Sequence, residues 1–571
     1  MLKINRYFHL IFPLVVLVTI NLYFLLNYTA IYGVNDDFLL NEMLSGNYVD
    51  DFLTHVTYIQ QPVTGLLHLL YLINPQVNFY AYLLLFLVNI SLFNVSLANY
   101  KTNDNKFKII SNVIWALSSF FILSWFILSP TFTAASILIC SSTLLLVYIS
   151  INKNNAGKYL FIYSILLWIF GYFLRVKGGV ASLVTWMPAI FIEIFLQRKI
   201  LTKIFKQRYK LLVKVFAVCA LLFIFSNLDI DYDKDYSYYL KYNAARQELT
   251  NTTRIIELAD LKSNINWKDD QYNLFIESAY ADKINFGYEK LTSAISLTSS
   301  TQGIRGLIHP IVSVGARLNN MKEFYSFFAC IFILPLIYFI LSSRLRRLSL
   351  LKFLLIYICN TFAIYSVLAT GKFEERVIFP LILNYWMLLF TIKSEKKINN
   401  YFKFIPIVMS LIIFLFSFEN LTHKPIYYKE KNKWNTRAND FWVAQESSLK
   451  SLPSDSVFIG PLSSFRSNWN NPFLSNPDVE FKYLSLGWHT FSPAWEDKRQ
   501  NLLGGKDSIY TSLISKKNVY WFSDPTTASY FFSYLRSIQL LKKEPKLITS
   551  IGDKDNDYGG EYNVYSLYND D

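Results

Sequence analysis

The sequence predicts a mainly α fold: a polytopic membrane helix bundle of about eleven transmembrane helices, N-terminus in and C-terminus out, with a small C-terminal α/β extracytoplasmic domain. Three observations predict it. The 571 residues are 53% hydrophobic and 18% aromatic, with a mean hydropathy of +0.26, which points to a membrane protein with a soluble part. Apolar runs long enough to cross a hydrocarbon core of ~30 Å recur through the first 418 residues. The net charge of +14 sits largely in short loops between those runs. That is the positive-inside pattern of a membrane topology, and it argues against a nucleic-acid partner.

The candidate spans are 8–31, 78–98, 108–129, 131–151, 159–175, 179–196, 211–227, 323–343, 349–370, 377–393 and 402–418. Basic loops separate them, from Lys101 to Lys108, Asn152 to Lys158, Gln197 to Lys210, Ser342 to Lys352 and Lys393 to Lys403. With Lys3 and Arg6 in the cytoplasm, every one of these loops is cytoplasmic too, so charge and span count agree. The first run lacks a small-residue cleavage site and reads as a retained helix, which places the protein in the cell membrane as a multi-pass chain. The cysteines Cys140, Cys219, Cys330 and Cys359 all fall inside apolar runs, where they read as buried thiols.

The remaining segments face outward. They comprise a loop over 32–77, a turn at Ser129-Pro130, the turn Arg175–Gly179, a long segment over 227–321, the turn Gly371–Arg376, and everything from 419 onward. Residues 1–418 are thus a transmembrane domain with outer loops 32–77 and 227–321, and 419–571 a soluble domain. The long segment is too extended for a structureless loop in a compact protein. It reads as a partly helical excursion on the membrane surface, with helical patches at 239–249 and 252–261. In the soluble domain, 456–459, 518–522 and 562–567 are rich in β-branched and aromatic residues and read as strands. Residues 527–541 carry apolar side chains at helical spacing.

Two constellations could carry chemistry. Asp36 and Asp37 follow the first span directly. An N-cap on a helix over 38–44, stopped by Gly46, accounts for one acid but not for two. A carboxylate at this position can accept the proton of a hydroxyl arriving from the aqueous side. In the same loop lie Asp50, Asp51, His55 and Gln61, of which His55 and Gln61 are the further candidates for contacting a substrate. The second constellation is cationic: Arg175, Lys177, Lys372 and Arg376, all beside outer span ends. Basic side chains there can snorkel to headgroups, yet they lie opposite the side that the charge rule favours. Arg grips phosphate oxygens through two parallel donors and Lys supplies a point charge. Glu374 and Glu375 can hold Arg376 by pairing. A third stretch, Gly487–Trp495, is dense in aromatic and hydrogen-bonding side chains, suited to a sugar or, preferably, to docking on the membrane part.

The motif Asn35-Asp36-Asp37 after the first span, the span number, the outward Arg/Lys set and the C-terminal outer domain together resemble the GT-C superfamily of integral-membrane glycosyltransferases, in its bacterial polyprenyl-phosphate-sugar-dependent form. The resemblance covers the membrane part in architecture and a few residues in motif. It implies an enzyme of the cell envelope, in polysaccharide biosynthesis, that moves a sugar from a polyprenyl-phosphate carrier to a glycan, glycolipid or protein acceptor on the extracytoplasmic face. Asp36 or Asp37 would be the base of an inverting displacement, and Arg175, Lys177 and Arg376 would bind the carrier phosphate. Some members of that family need a divalent metal. This chain has no clear metal-ligand spacing, so no cofactor is expected, with a divalent metal the alternative. Two other readings stand beside it. A polysaccharide polymerase or ligase acting on lipid-linked glycans suits the long outer segment, and a transporter or flippase would move lipid without chemistry.

Overall fold

The structure, a computed structural model, describes residues 4–49, 53, 56–102, 108–152, 158–196, 234–252, 267–298, 347–369, 375–388, 427–465, 469–474, 479, 481–505, 508–552 and 560–569. Helices dominate. Among the described residues, eight precede residue 200: α1 (Ile4–Asn27), α2 (Asn35–Ser45), α3 (Gln61–Ile73), α4 (Phe79–Thr102), α5 (Lys108–Leu128), α6 (Phe132–Asn152), α7 (Lys158–Leu174) and α8 (Val176–Leu196). Among the described residues, three stretches are long and apolar enough to cross a membrane: Leu10–Asn27, Phe79–Lys101 and Phe132–Ile151. Shorter apolar helices accompany them, Tyr159–Leu174 and Val176–Ile192 among these. The expected spans at 211–227, 323–343 and 402–418 lie outside the described residues.

The long helix α6 is the axis of the bundle. Its window is almost wholly buried, and it packs against α4, α7 and α8. Small residues let the neighbours approach. A Cβ on Gly171 would lie 2.5 Å from the Ile139 side chain, and one on Gly178 2.6 Å from Ser136 Oγ. Hydroxyls satisfy one another at these crossings, as Ser141 and Ser182 do at 3.1 Å. By contrast α1 turns one stripe outward, with Ile11, Leu14, Val15, Val18 and Leu22 exposed.

The intermediate part of the chain contributes α9 (Lys234–Thr252), α10 (Asp269–Ile276), α11 (Lys283–Phe286), α12 (Tyr288–Thr298), α13 (Arg347–Ala369) and α14 (Glu375–Leu388). The C-terminal part follows as α15 (Tyr427–Lys450), β1 (Val457–Pro461), β2 (Lys482–Leu486), α16 (Pro493–Leu503), α17 (Ile509–Ser515), β3 (Val519–Ser523), α18 (Pro525–Ser537), β4 (Lys546–Ile551) and β5 (Tyr562–Ser566). Its five strands run β2-β1-β3-β5-β4, parallel across β2, β1 and β3 and antiparallel from there to β5 and β4. Alternate residues face two different cores. Val457, Ile459, Leu484 and Trp521 face one, and Phe458, Tyr483, Phe522 and Val564 the other. The second core is closed by α15 through Ala438, Phe441, Trp442 and Leu449.

The first core is the unexpected one. Beside α18, whose Phe531 stacks on Trp521 with ring centroids 3.6 Å apart, it takes in Tyr239, Tyr242, Leu249, Phe275 and Phe286 from α9, α10 and α11. The helical patch expected at 239–249 is real and extends over α9. Its buried side chains join the core of the C-terminal sheet domain. The patch expected at 252–261 lies almost wholly outside the described residues. The sheet domain therefore has helical layers on both faces, one of them drawn from residues 234–298.

This assembly sits on one end of the bundle. Asn435 of α15 donates to the carbonyls of Thr29 (2.7 Å) and Leu128 (2.8 Å), at the ends of α1 and α5. Asn432 Oδ1 accepts from the Thr29 N–H at 2.6 Å. Tyr483 of β2 donates to the buried carboxylate of Glu42 in α2. Polar groups of one part thus satisfy buried groups of the other.

Candidate active site

The helix α2 carries both acids, and its geometry separates them. Its N-cap is Val34, with no side-chain cap, and Gly46 ends it in the left-handed conformation at φ 84°. The alternative of an Asp N-cap gives way to a first turn that contains both Asp36 and Asp37, where carboxylates still complement the helix dipole. Gly33 sets the entry into this turn. Its N–H donates to the Pro130 carbonyl at 3.2 Å, and a Cβ there would stand 2.5 Å from Thr131.

Asp37 points into protein. It is fully buried, and its Oδ1 accepts from the Tyr80 hydroxyl (2.7 Å) and the Phe132 N–H (2.9 Å). Its Oδ2 has no hydrogen-bond partner among the described residues. Burial pushes its carboxyl up to about 7, against the opposing pull of those two hydrogen bonds. Asp36, one residue earlier, is half-buried and lines a cavity of about 580 Å3. Only Asp36 of the pair lines that cavity.

The same cavity is lined by Arg175, Lys177 and Arg376. They come from the α7–α8 junction, the first turn of α8 and the first turn of α14. Arg376 approaches Asp36 to 3.7 Å, with both side chains partly solvated. An ion pair of that length and exposure is worth little, roughly 0–1 kcal/mol, so an incoming anion can compete for the guanidinium. Arg175 is held differently. Its guanidinium carbon lies 4.5 Å from the Tyr58 ring centroid and 4.9 Å from that of Phe132. Such cation–π contacts fix the charge without neutralising it.

Tyr58 is the centre of this arrangement. Its backbone is left-handed at φ 82°, within the tight turn closed by the Val56–Ile59 bridge. Besides Arg175, its ring meets Trp488 at 5.2 Å, and its hydroxyl accepts from Gln247 Nε2 at 2.9 Å. A non-glycine residue in this conformation costs about 1–3 kcal/mol and persists where its surroundings over-determine it.

Of the residues expected at the site, Asp36, Arg175, Lys177 and Arg376 are brought together. Asp37 lies beneath them. Gln61 does not line the cavity: it opens α3, and its carbonyl accepts from the Thr64 hydroxyl at 3.1 Å. His55 and Lys372 lie outside the described residues, as do Asp50, Asp51 and Glu374. Sequence reasoning missed Tyr58, Arg246, Gln247 and Glu277, which also line the cavity. Arg246 offered a signal, a basic side chain in a polar segment rich in Tyr and Asp. Its Nε and Nη2 donate to Asn243 Oδ1 at 3.2 and 3.1 Å. In the stretch Gly487–Trp495, Trp488 lines the cavity while His489, Thr490 and Ser492 are buried. Burial holds the His489 imidazole neutral, well below its ordinary range at about 3. Among the described residues, no group of three or more His, Cys, Asp or Glu side chains is placed to hold a metal ion.

Compared with known proteins, the chain matches no family model, no curated protein and no solved structure.

Proposed function

We propose that the protein is a membrane glycosyltransferase of GT-C type, which moves a sugar from a polyprenyl-phosphate carrier to an acceptor hydroxyl on the extracytoplasmic face. One observation carries the reading: a single cavity joins the Asp36 carboxylate to four cationic side chains, Arg175, Lys177, Arg246 and Arg376, from three separate stretches of the chain. In this reading the chain crosses the cell membrane about eleven times, with the N-terminus inside and the sheet domain outside. The cavity then opens at the outer membrane surface, where a lipid-borne phosphate can meet a soluble or membrane-bound acceptor.

The chemistry follows from the groups present. Arg175, Lys177 and Arg376 hold the carrier phosphate. The acceptor oxygen attacks the anomeric carbon from the side opposite that phosphate. A new C–O bond forms as the bond to the phosphate oxygen breaks, and the breaking pair of electrons stays with the lipid phosphate. The acceptor proton passes to Asp36, and the anomeric configuration inverts. A phosphate leaving group has low proton affinity, so no strong general acid is required. The cations instead stabilise charge that grows in the transition state. Asp37 supports α2 from below.

The test is transfer of a radiolabelled hexose from its polyprenyl-phosphate in vesicles, for the wild type, Arg175→Ala and Arg376→Ala. Each lost charge-assisted contact should raise the donor KM about 10- to 100-fold. Movement of the intact lipid between leaflets without cleavage would indicate a transporter. Joining of whole lipid-linked glycan blocks would indicate a polymerase or ligase.

A further inference from the structure

The cavity has a second wall that the proposed chemistry does not use. The bundle and α2 supply the Asp36–Arg376 side. Facing it are Gln247 and Thr250, three residues apart on one face of α9, Glu277 and Ser278 just after α10, and Trp488 just after β2. Arg246 of α9 lines the cavity here too, its guanidinium donating to Asn243 Oδ1. The other groups are an amide, two hydroxyls, a carboxylate and an indole.

Three details mark this wall as built for a ligand. Ser278 is left-handed at φ 55°, so two of the four described non-glycine residues with positive φ, Tyr58 and Ser278, line this one cavity. Trp488 is only 7% exposed, yet its indole N–H has no hydrogen-bond partner among the described residues. A buried donor left unpaired is destabilising, and a ligand oxygen would relieve it. Glu277 has no ion-pair partner among the described residues, in a cavity that also holds Arg175, Arg246 and Arg376. A carboxylate kept apart from available cations disfavours an anionic ligand on its side and suits hydroxyl donors.

We infer that the wall of Gln247, Thr250, Glu277, Ser278 and Trp488 is an acceptor subsite for a sugar-terminated molecule, with neutral hydroxyls bonding the polar side chains and a sugar oxygen accepting from the Trp488 indole N–H. The inference rests on the glycosyltransferase reading of the same cavity. Two features favour a sugar over a phospholipid headgroup or a peptide. The wall offers closely spaced neutral donors and acceptors beside an unpaired indole N–H, and the Glu277 carboxylate would repel a phosphate at its end of the wall.

The experiment uses full-length protein in vesicles with a radiolabelled polyprenyl-phosphate hexose and three acceptor probes: octyl glycosides, phosphatidylglycerol and a lysine-rich peptide. Sugar release to water is followed beside transfer. Wild-type protein should transfer to an octyl glycoside and to neither other probe. Glu277→Gln should raise the KM for that glycoside about tenfold, with donor KM and release to water within about twofold of wild type. Thr250→Val should act in the same direction, and intact donor cleavage reports that both variants are folded. Transfer only to the headgroup or to the peptide overturns the inference. So does an unchanged acceptor KM in both variants while donor cleavage persists. Absence of any donor cleavage by the wild type removes the underlying reading, and the inference with it.

Discussion

At the scale of single residues, the two neighbouring aspartates have become different chemical groups. Asp36 lines the cavity and is partly solvated, whereas Asp37 is enclosed and has its carboxyl pushed up to about 7 by burial. The second fact has a consequence for stability. An aspartate in the unfolded chain titrates near ~3.9. Between roughly pH 4 and 7 the native state holds a proton that the unfolded state has lost. This carboxyl's contribution therefore falls as pH rises through that window and levels off above about 7. Thermal melts of Asp37→Asn should lack that component of the slope. A slope identical to wild type would contradict it. Asp37→Ala should be worse than Asp37→Asn. It strips the partner from the Tyr80 hydroxyl and the Phe132 N–H, about 1–3 kcal/mol for each orphaned donor.

At the scale of elements, the sequence was readable where an element's own side chains decide its structure. The helices α4 to α8 follow apolar runs, and β1, β3 and β5 follow β-branched and aromatic runs. Two strands were not readable. Lys482-Tyr-Leu-Ser-Leu is buried beyond its first residue and shows no alternation, because both faces of β2 are covered. The edge strand β4 is mostly exposed, so no buried face patterns it. The docking of α9 to α12 on the sheet domain was unreadable for another reason: contacts such as Tyr239 to Trp488, 249 residues apart, leave no local periodicity. For the site, Asp36 and the three cations were legible because charge at a span end is costly unless it has a use. Tyr58 and Gln247 were not, since their roles exist only once α9 and the turn meet. The sheet depends on one close approach. A Cβ on Gly460 would sit 1.9 Å from the Phe522 carbonyl oxygen, so Gly460→Ala should part β1 from β3 and expose the domain to proteolysis at temperatures that wild type resists. At the helix α18, Asp524 accepts from the N–H groups of Thr526 and Thr527, each at 3.0 Å. Its replacement by Ala should cost about 1 kcal/mol in a denaturation series.

At the scale of the molecule, neither part makes the cavity alone. The bundle brings Asp36, Arg175 and Arg376, α9 brings Arg246 and Gln247, and the sheet domain brings Trp488. Asn435, Asn432 and the Glu42–Tyr483 pair lock these parts together through buried hydrogen bonds. The proposed orientation can be read independently of activity. A cysteine at the exposed Glu544 should react with a membrane-impermeant maleimide added to intact cells. One at Lys206, in a loop assigned to the cytoplasm, should react only after permeabilisation. The reverse pattern would invert the topology and place the cavity on the wrong face.

The most direct test of the central claim is steady-state transfer from a polyprenyl-phosphate hexose by Asp36→Asn. Loss of a general base should lower kcat about 10²- to 10⁴-fold, while the donor KM stays within about threefold, because the cations that hold the phosphate lose only the weak Asp36–Arg376 pair. A kcat equal to that of wild type would show that Asp36 takes no proton, and the proposed mechanism would fail.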